Sequence, residues 1–460
     1  MKKKGFRFLG LLVGIALAVV LVPGGWYLFQ RMEGNAPTVQ WKAPITYAGL
    51  STTFEGVLAD PENGLSGVRI VLTRPGDKEV EVFSKEYPAK GFLGPGQVKK
   101  DSISFTIEPD KLNISDGEAV LRVSARDRSL RSWANGNLFY QEYPLTIDTR
   151  PPAISVLTTR HYLRQGGSGL AIYRLSEKGV KNGVQVGDNF FPGYSGGFSD
   201  PDVYMAFFAV DNEQPTDTKI MIQAADKAGN ISAASFSYLI NPGNFRKDVI
   251  NISDRFMEMV LPQFEAGKRV DPNVPLIDRY LKINREQRQS DYAIAGAMCE
   301  RSKPVIYWDG VFSRLPNSAN RARFADRREY RYKGEKVDRQ VHLGIDLASV
   351  AQSPVPAANS GMVIYAAPQG IYGQTVYIDH GFGLISQYSH LSRIDVSEGQ
   401  KVEKDQIIGL TGSTGLAIGD HLHFGMLVGD TFVNPIEWWD ASWIKNNVTS
   451  KINAVTKALQ

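Results

Sequence analysis

Between residues 35 and 240 apolar and polar positions alternate in short runs. Val68-Arg69-Ile70-Val71-Leu72 and Ser102-Ile103-Ser104-Phe105-Thr106-Ile107 are examples. A period of two puts successive side chains on opposite faces of a strand. Turn-forming clusters such as Pro61-Glu62-Asn63-Gly64 and Pro75-Gly76-Asp77 separate the runs, so the pattern predicts antiparallel β-sandwiches. From Asn244 to about Arg301 the period lengthens. Phe256, Met259, Val260 and Phe264 follow helical spacing, as do Leu276, Ile277, Tyr280 and Leu281, and Pro262 and Pro275 break the run into short helices. Strand signals return, rich in glycine, from Val305 to Asn434. The last twenty residues, with Trp443, Ile444, Val448, Ile452, Val455 and Leu459, predict a short amphipathic helix. At the other end, Lys2, Lys3, Lys4 and Arg7 precede an uncharged run from Phe8 to Gln30. Its length, about 23 residues, spans a hydrocarbon layer of about 30 Å.

A weak internal repeat divides the alternating region. Ala119-Val120-Leu121-Arg122-Val123-Ser124-Ala125-Arg126-Asp127 parallels Thr218-Lys219-Ile220-Met221-Ile222-Gln223-Ala224-Ala225-Asp226. The second copy runs on into Lys227-Ala228-Gly229-Asn230. This resembles the late strand of bacterial immunoglobulin-like domains, with their D-x-x-G-N turn at Asp226 to Asn230. Pro151-Pro152 fixes an extended segment between the copies, a natural boundary. The predicted architecture is mainly β. Residues 1–34 form a basic cytoplasmic tip and transmembrane anchor, and 35–150 and 151–243 two immunoglobulin-like β-domains. Residues 244–310 form a helical connector, 311–440 an antiparallel β-domain carrying the chemistry, and 441–460 a terminal helix. The cluster Gly166-Gly167-Ser168-Gly169 reads as a flexible loop.

Composition narrows the function classes. A net charge of +4 leaves no polyanion-binding field over the whole chain, and no nucleic-acid motif is seen. One cysteine, Cys299, excludes an internal disulfide framework and a Cys-rich zinc finger. Trp26, Tyr27 and Phe29 suit an aromatic belt at the end of the apolar run, and no A-x-A cleavage site follows it. The positive-inside rule keeps the basic tip in the cytoplasm. The chain is therefore expected in the cytoplasmic (inner) membrane as a single-pass protein, with everything after about residue 31 outside.

The histidines change the picture most. Six occur, and five lie between positions 342 and 423. Read as one strand, Gln340 to Ala348 would bury Val341, Leu343, Ile345 and Leu347. His342 and Asp346 would share the opposite face with only Gly344 between them. Around Leu422, Phe424 and Met426, His421 and His423 share a face in the same way, followed by Gly425. Two histidines and a carboxylate suffice for a catalytic zinc, which takes three protein ligands and keeps one open position. No H-E-x-x-H is present, so the helical zincin arrangement is excluded.

Val341-His342-Leu343-Gly344-Ile345-Asp346-Leu347-Ala348, Gln387-Tyr388-Ser389-His390-Leu391-Ser392 and Gly419-Asp420-His421-Leu422-His423-Phe424 closely resemble the lysostaphin/LytM-type zinc metallopeptidases. Val355-Pro356-Ala357-Ala358, Val376-Tyr377-Ile378-Asp379-His380-Gly381, Gly409 to Gly415 and Asn434-Pro435 extend the resemblance over about residues 311 to 440. It implies an endopeptidase hydrolysing peptide cross-links of bacterial peptidoglycan, with one Zn2+ per catalytic domain, which the N-terminal apolar run is expected to anchor in the membrane. Carried over by position, His342, Asp346 and His423 are the implied zinc ligands. His390 and His421 are the implied catalytic histidines, sharing the acid–base and oxyanion roles without the sequence saying which does which. His380 matches a family position outside the metal site, and His161 lies outside the region.

Two departures stand out. Gln352-Ser353 replaces the glycine usual before P-V-x-A, and Gly425 replaces a frequent Glu. Arg321 to Arg339 holds eight basic residues against four acids. Within it, Phe324-Ala325-Asp326-Arg327-Arg328 resembles an F-G-x-R segment preceding the first ligand, and a solvated groove edge is the expected role. The competing reading is a non-enzymatic relative that binds and activates another wall hydrolase. Such relatives typically lack metal ligands, and here all are present. A regulatory protein partner is compatible with either reading.

Overall fold

The structure is a computed structural model that describes residues 2–460 except 77, 92, 93 and 268–270, with the side chains of 2–10 also left out. Asp77 of the turn read at Pro75-Gly76-Asp77, and the side chains of Lys2, Lys3, Lys4 and Arg7, therefore lie outside the described residues. The chain is mainly β, as the alternation predicts. It divides into two compact units, Met1–Pro151 with Ala225–Asn230, and Pro152–Ala224 with Ile231–Gln460.

The first unit begins with the helix Lys2–Arg31, whose stretch Leu11–Arg31 is long and apolar enough to cross a membrane. Two sheets follow. One has three strands, in the order Thr38–Trp41, Thr52–Ala59, Lys100–Ile107. The other has five, in the order Tyr47–Ala48, Leu138–Ile147, Gly117–Asp127, Leu65–Thr73, Val80–Glu86. The alternation does what a two-sheet core requires. In Lys100–Ile107, Ile103, Phe105 and Ile107 are buried while Ser102, Ser104 and Thr106 face water. Leu58, Ile70, Leu121 and Val123 meet them from the other strands in one apolar core.

In the second unit a large hydrophobic core runs from Leu163 to Val455, with a smaller cluster around Ile252 and Tyr330. The segment Gly166-Gly167-Ser168-Gly169 is buried in it, which corrects the reading as a flexible loop. Its glycines permit close packing. A Cβ at Gly169 would lie 2.5 Å from the Phe208 ring, and one at Gly167 would lie 2.4 Å from Glu437 Oε1. The segment read as helical from Asn244 opens instead with a strand, Lys247–Ile252, paired in parallel with Arg327–Tyr332. That partner lies about eighty residues away, so no local pattern could announce it. Helices Asp254–Glu265, Leu276–Lys282 and Arg288–Ala297 follow. Ser253 caps the first, its hydroxyl accepting from Phe256 N–H at 3.2 Å. Their apolar faces, Met257, Val260, Leu261 and Tyr280, close over Ile252 and Tyr330. A helical stretch runs from Ala441 to Ala458, with Ile444, Val448 and Val455 buried.

The chemistry sits on an eight-stranded sheet. Its central strands are, in order, Ile345–Ala348, Leu422–Val428, Leu384–Leu391, Gly373–Gly381 and Gly361–Gln369. Leu422–Val428 and Leu384–Leu391 are buried at every position.

Candidate metal centre and active site

His342 and Asp346 do not share one strand. Glu335–Val341 belongs to a three-stranded sheet and Ile345–Ala348 to the eight-stranded one, and His342-Leu343-Gly344 is the break between them. The expectation of a continuous strand from Gln340 to Ala348 is corrected accordingly. The bend brings the two side chains together across a corner instead of along a face. Asp346 pairs in register with His423 on the neighbouring strand. Gly344 supplies the room, because a Cβ there would lie 2.5 Å from His423 Cε1 and Nε2 and 2.8 Å from the Phe424 carbonyl oxygen.

Three donor atoms converge. His342 Nε2 lies 2.9 Å from Asp346 Oδ1 and 3.0 Å from His423 Nδ1, and His423 Nδ1 lies 2.9 Å from Asp346 Oδ1. All three residues are buried. His342 Nδ1 donates to the Arg323 carbonyl at 3.0 Å, which leaves the lone pair of a neutral ring on Nε2. Hydrogen bonds alone serve this triangle poorly, since lone pairs on two atoms face one another and only a shared cation satisfies all three. A tetrahedral zinc with bonds of about 2.0–2.1 Å sets its donors roughly 3.3 Å apart, close to the observed edges. The protonation states agree. Burial lowers His342, aided by the Arg328 charge, and burial pushes His423 down to about 4, so both rings are neutral donors. Burial works to raise the Asp346 carboxyl, but the surrounding imidazoles of His342, His421 and His423 hold it well below the usual range. The residues fit a zinc ion.

Two more imidazoles flank the triangle. The His390 and His421 ring centroids lie 4.9 Å apart, and His421 Nε2 lies 3.6 Å from Asp346 Oδ1. His390 Nδ1 donates to Thr414 O at 2.8 Å and His421 Nδ1 to Gly419 O at 2.9 Å. Each neutral ring therefore keeps its Nε2 as an acceptor. Burial and the neighbouring His421 and His423 hold His390 well below its ordinary value. For His421 burial also lowers, but Asp346 outweighs it and the ring is raised. His390 adopts φ 63°, a left-handed conformation unusual for a non-glycine residue and characteristic of sites where position matters more than local comfort.

The other histidines are structural. His380 is fully buried, its Nδ1 on Ser360 O at 2.8 Å and its Nε2 on Ser386 Oγ at 2.7 Å. His161 is also buried, its Nε2 on Leu170 O at 2.9 Å. Both departures from the family pattern are accommodated. Gln352 takes φ 55°, the conformation a glycine adopts at little cost, and its N–H donates to Asp420 Oδ2 at 3.1 Å. The space beside Gly425 is filled by Gln387, whose Oε1 would lie 2.7 Å from a Cβ at 425.

Arg328 escaped the sequence reading, which placed its whole basic run at a solvated edge. The side chain is mostly buried, and Nη2 donates to Asp346 Oδ2 at 3.0 Å. It occupies one carboxylate oxygen and leaves Oδ1 to the histidines. Its neighbour Arg327 bonds Asn212, so the position beside the F-x-x-R segment was the only available signal. Phe256 and Tyr280 of the helical segment, with Tyr372 and Ile418, line the same cleft.

Residues 340–435 match the model of Peptidase family M23. The chain is 37% identical over 97 residues to a DD-carboxypeptidase/endopeptidase, Mpg, of Neisseria meningitidis serogroup B, covering 21% of this chain and 22% of that protein. It is 38% identical over 96 residues to the peptidoglycan DD-endopeptidase ShyA of Vibrio cholerae, again 21% of this chain and 22% of that one. With ShyB, a peptidoglycan DD-endopeptidase of the same organism, 35% identity extends over 202 residues, 42% of this chain and 46% of the relative. The matches thus span about a fifth to under half the length of these curated relatives. The lysostaphin/LytM-type motifs and the family model fall on the same strands, and residues 340–435 constitute a Peptidase family M23 domain.

Proposed function

We propose that this chain is a membrane-anchored zinc metalloendopeptidase that hydrolyses peptide cross-links of bacterial peptidoglycan. The observation that carries the reading is the buried triangle of His342 Nε2, Asp346 Oδ1 and His423 Nδ1, with two imidazole acceptors beside it. The names of the relatives support peptidoglycan as substrate and a cross-link of the DD type. The apolar helix supports a single-pass anchor in the cytoplasmic membrane, with the peptidase outside. The same proposal includes immunoglobulin-like domains at 35–150 and 151–243, which serve as spacer and docking region.

His342, Asp346 and His423 would hold the zinc, which supplies a Lewis acid that lowers the pKa of water toward ~7 and polarises the scissile carbonyl. One of His390 and His421 accepts the proton of the attacking water at Nε2 as the C–O bond forms and returns it to the leaving amine as the C–N bond breaks. The other, once protonated at Nε2, donates to the tetrahedral oxyanion. Their Nδ1 bonds to Thr414 and Gly419 keep both rings oriented throughout. Digestion of purified peptidoglycan by the chain, followed by mass spectrometry of the released muropeptides, tests the reading. Cleaved cross-links that vanish with chelator support it. Intact cross-links alongside activation of a second hydrolase would replace it with the non-enzymatic alternative.

A further inference from the structure

The end of the apolar helix is fastened to the first β-unit, and an unusual turn does the fastening. The buried guanidinium of Arg31 donates to Asn63, to the Gly94 carbonyl at 2.9 Å and to the Arg128 carbonyl at 2.5 Å. The Arg31 carbonyl in turn accepts from Leu130 N–H at 2.7 Å and Ser129 Oγ at 3.1 Å. Asn137 Nδ2 donates to the Glu33 carbonyl at 3.0 Å. The segment from Ser129 to Asn137 therefore clasps the point where the helix ends.

At the tip of that clasp stand Ser132, Trp133 and Ala134, with φ of 51°, 58° and 66°. Three successive non-glycine residues in the left-handed region form a turn that L-residues avoid, because each Cβ crowds the following carbonyl. The turn presents Trp133 at 99% exposure, the largest value among the exposed large apolar side chains of the described residues. A strained backbone that pushes a whole indole into water contributes nothing to the folded unit, so its use lies outside the unit. The Arg131 guanidinium lies over Gly34, where a Cβ would meet Nη1 at 2.5 Å. The clasp thus sets one aromatic and one cationic side chain at the helix exit.

We infer that Trp133, with Arg131, is a second membrane contact that inserts into the lipid headgroup layer around the anchor. The inference rests on the anchoring reading proposed above. Trp133 lies three residues from Leu130, whose N–H sits 2.7 Å from the Arg31 carbonyl, hence within about 14 Å of that carbonyl. The headgroup layer on each side of the hydrocarbon is about 5–8 Å thick, and Trp26 and Phe29 mark the same zone on the helix itself. Tryptophan suits this layer because its ring is apolar while its N–H stays wet, and an arginine reaches phosphate from the same depth. A lone helix lets its cargo swivel about the helix axis. A rigid clasp with a second contact fixes which face of the first β-unit meets the membrane.

The test uses the full chain in nanodiscs whose lipids carry bromine on the upper acyl chain, a short-range quencher of indole fluorescence. Wild type and Trp133→Phe are compared. If Trp133 sits in the layer, removing it takes away a quenched component of about one tryptophan in the seven of the chain. The brominated-to-plain intensity ratio then rises in the variant, while Trp26 remains quenched in both. Trp133→Ala gives the same rise, and a full-length chain by circular dichroism shows that folding is intact. An unchanged ratio in discs that do carry the chain overturns the second contact and leaves the anchor standing. Failure of the chain to co-elute with discs overturns the anchor and this inference together.

Discussion

The two units of this molecule use the same alternation of residues differently. In the first unit, Lys100–Ile107 and Gly117–Asp127 bury one face and wet the other. In the second, Leu384–Leu391 and Leu422–Val428 bury both faces, polar residues included. Ser386, Gln387, Ser389, His421 and His423 sit where a solvated sheet would show them to water. Desolvated polar groups need partners, so the catalytic sheet pairs its polar side chains in the dry interior, whereas pairs such as Thr53 with Thr106 and Arg122 with Glu142 in the first unit lie on exposed faces. Thr375 Oγ1 to Ser389 Oγ at 3.1 Å and Gln387 Nε2 to Ser389 Oγ at 3.0 Å run beside the His423 strand. The polar face of the first unit provides solubility, whereas that of the second provides a site.

The sharpest test of this contrast replaces one buried residue in each unit. His423→Ala should lower peptidoglycan cleavage by at least about 10³-fold and abolish stoichiometric zinc by elemental analysis, since it removes one of only three donors. Retained zinc and activity would sink the triangle as the metal site. Cutting the apolar face of the first unit should act on stability alone. Leu121 is fully buried, so Leu121→Ala should cost about 2–5 kcal/mol in denaturant unfolding with cleavage unchanged below the transition. Gly344→Ala tests the close approach at the corner. The added methyl should cost about 1–3 kcal/mol and weaken zinc roughly 10–100-fold in chelator competition, because the His423 ring must yield.

Glu437 gives a smaller, pH-dependent effect. Burial pushes its carboxyl up to about 7, against hydrogen bonds from Ser168 N–H and Oγ at 2.8 and 3.0 Å. The unfolded chain releases this proton near 4.5 while the folded one keeps it, so stability should fall as pH rises from about 4.5 to about 7 and level off above. The side chain is partly exposed, so solvent screening holds the loss to about 1–2 kcal/mol. Glu437→Gln should flatten that part of the stability–pH curve, and an unchanged slope would place the titrating group elsewhere. At the bottom of the scale, Ser104→Ala on the wet face of the first unit should shift stability by no more than about 0.5 kcal/mol.

Much of this was readable along the chain. Period-two alternation is a local property, and it placed Ile103, Phe105, Leu121 and Val123 inward without any knowledge of their partners. The crowding of five histidines and their motifs singled out the five residues that the fold gathers or flanks. Helical spacing around Val260 and Tyr280 was equally local, although Met259, read on the same face, is exposed. The strand Lys247–Ile252 was lost because its strand neighbour among the described residues, Arg327–Tyr332, is remote in sequence. The buried run Gly166 to Gly169 was misread because glycine permits both flexibility and close packing, and only the neighbours Phe208 and Glu437 distinguish them.

The sequence by itself determined which residue types alternate, which strands and helices carry a local pattern, and which side chains bear metal-ligand and acid–base chemistry. These are properties of nearest neighbours and short spacings. The tertiary structure alone decided that the chain breaks at His342 to Gly344, so that His342 and Asp346 meet across a corner, and that Arg328 reaches Asp346 Oδ2. It alone decided that both faces of the catalytic sheet are dry. The physical reason is that burial, desolvation and the close approach of donors are set by atoms brought together from distant parts of the chain. No short window of sequence contains them.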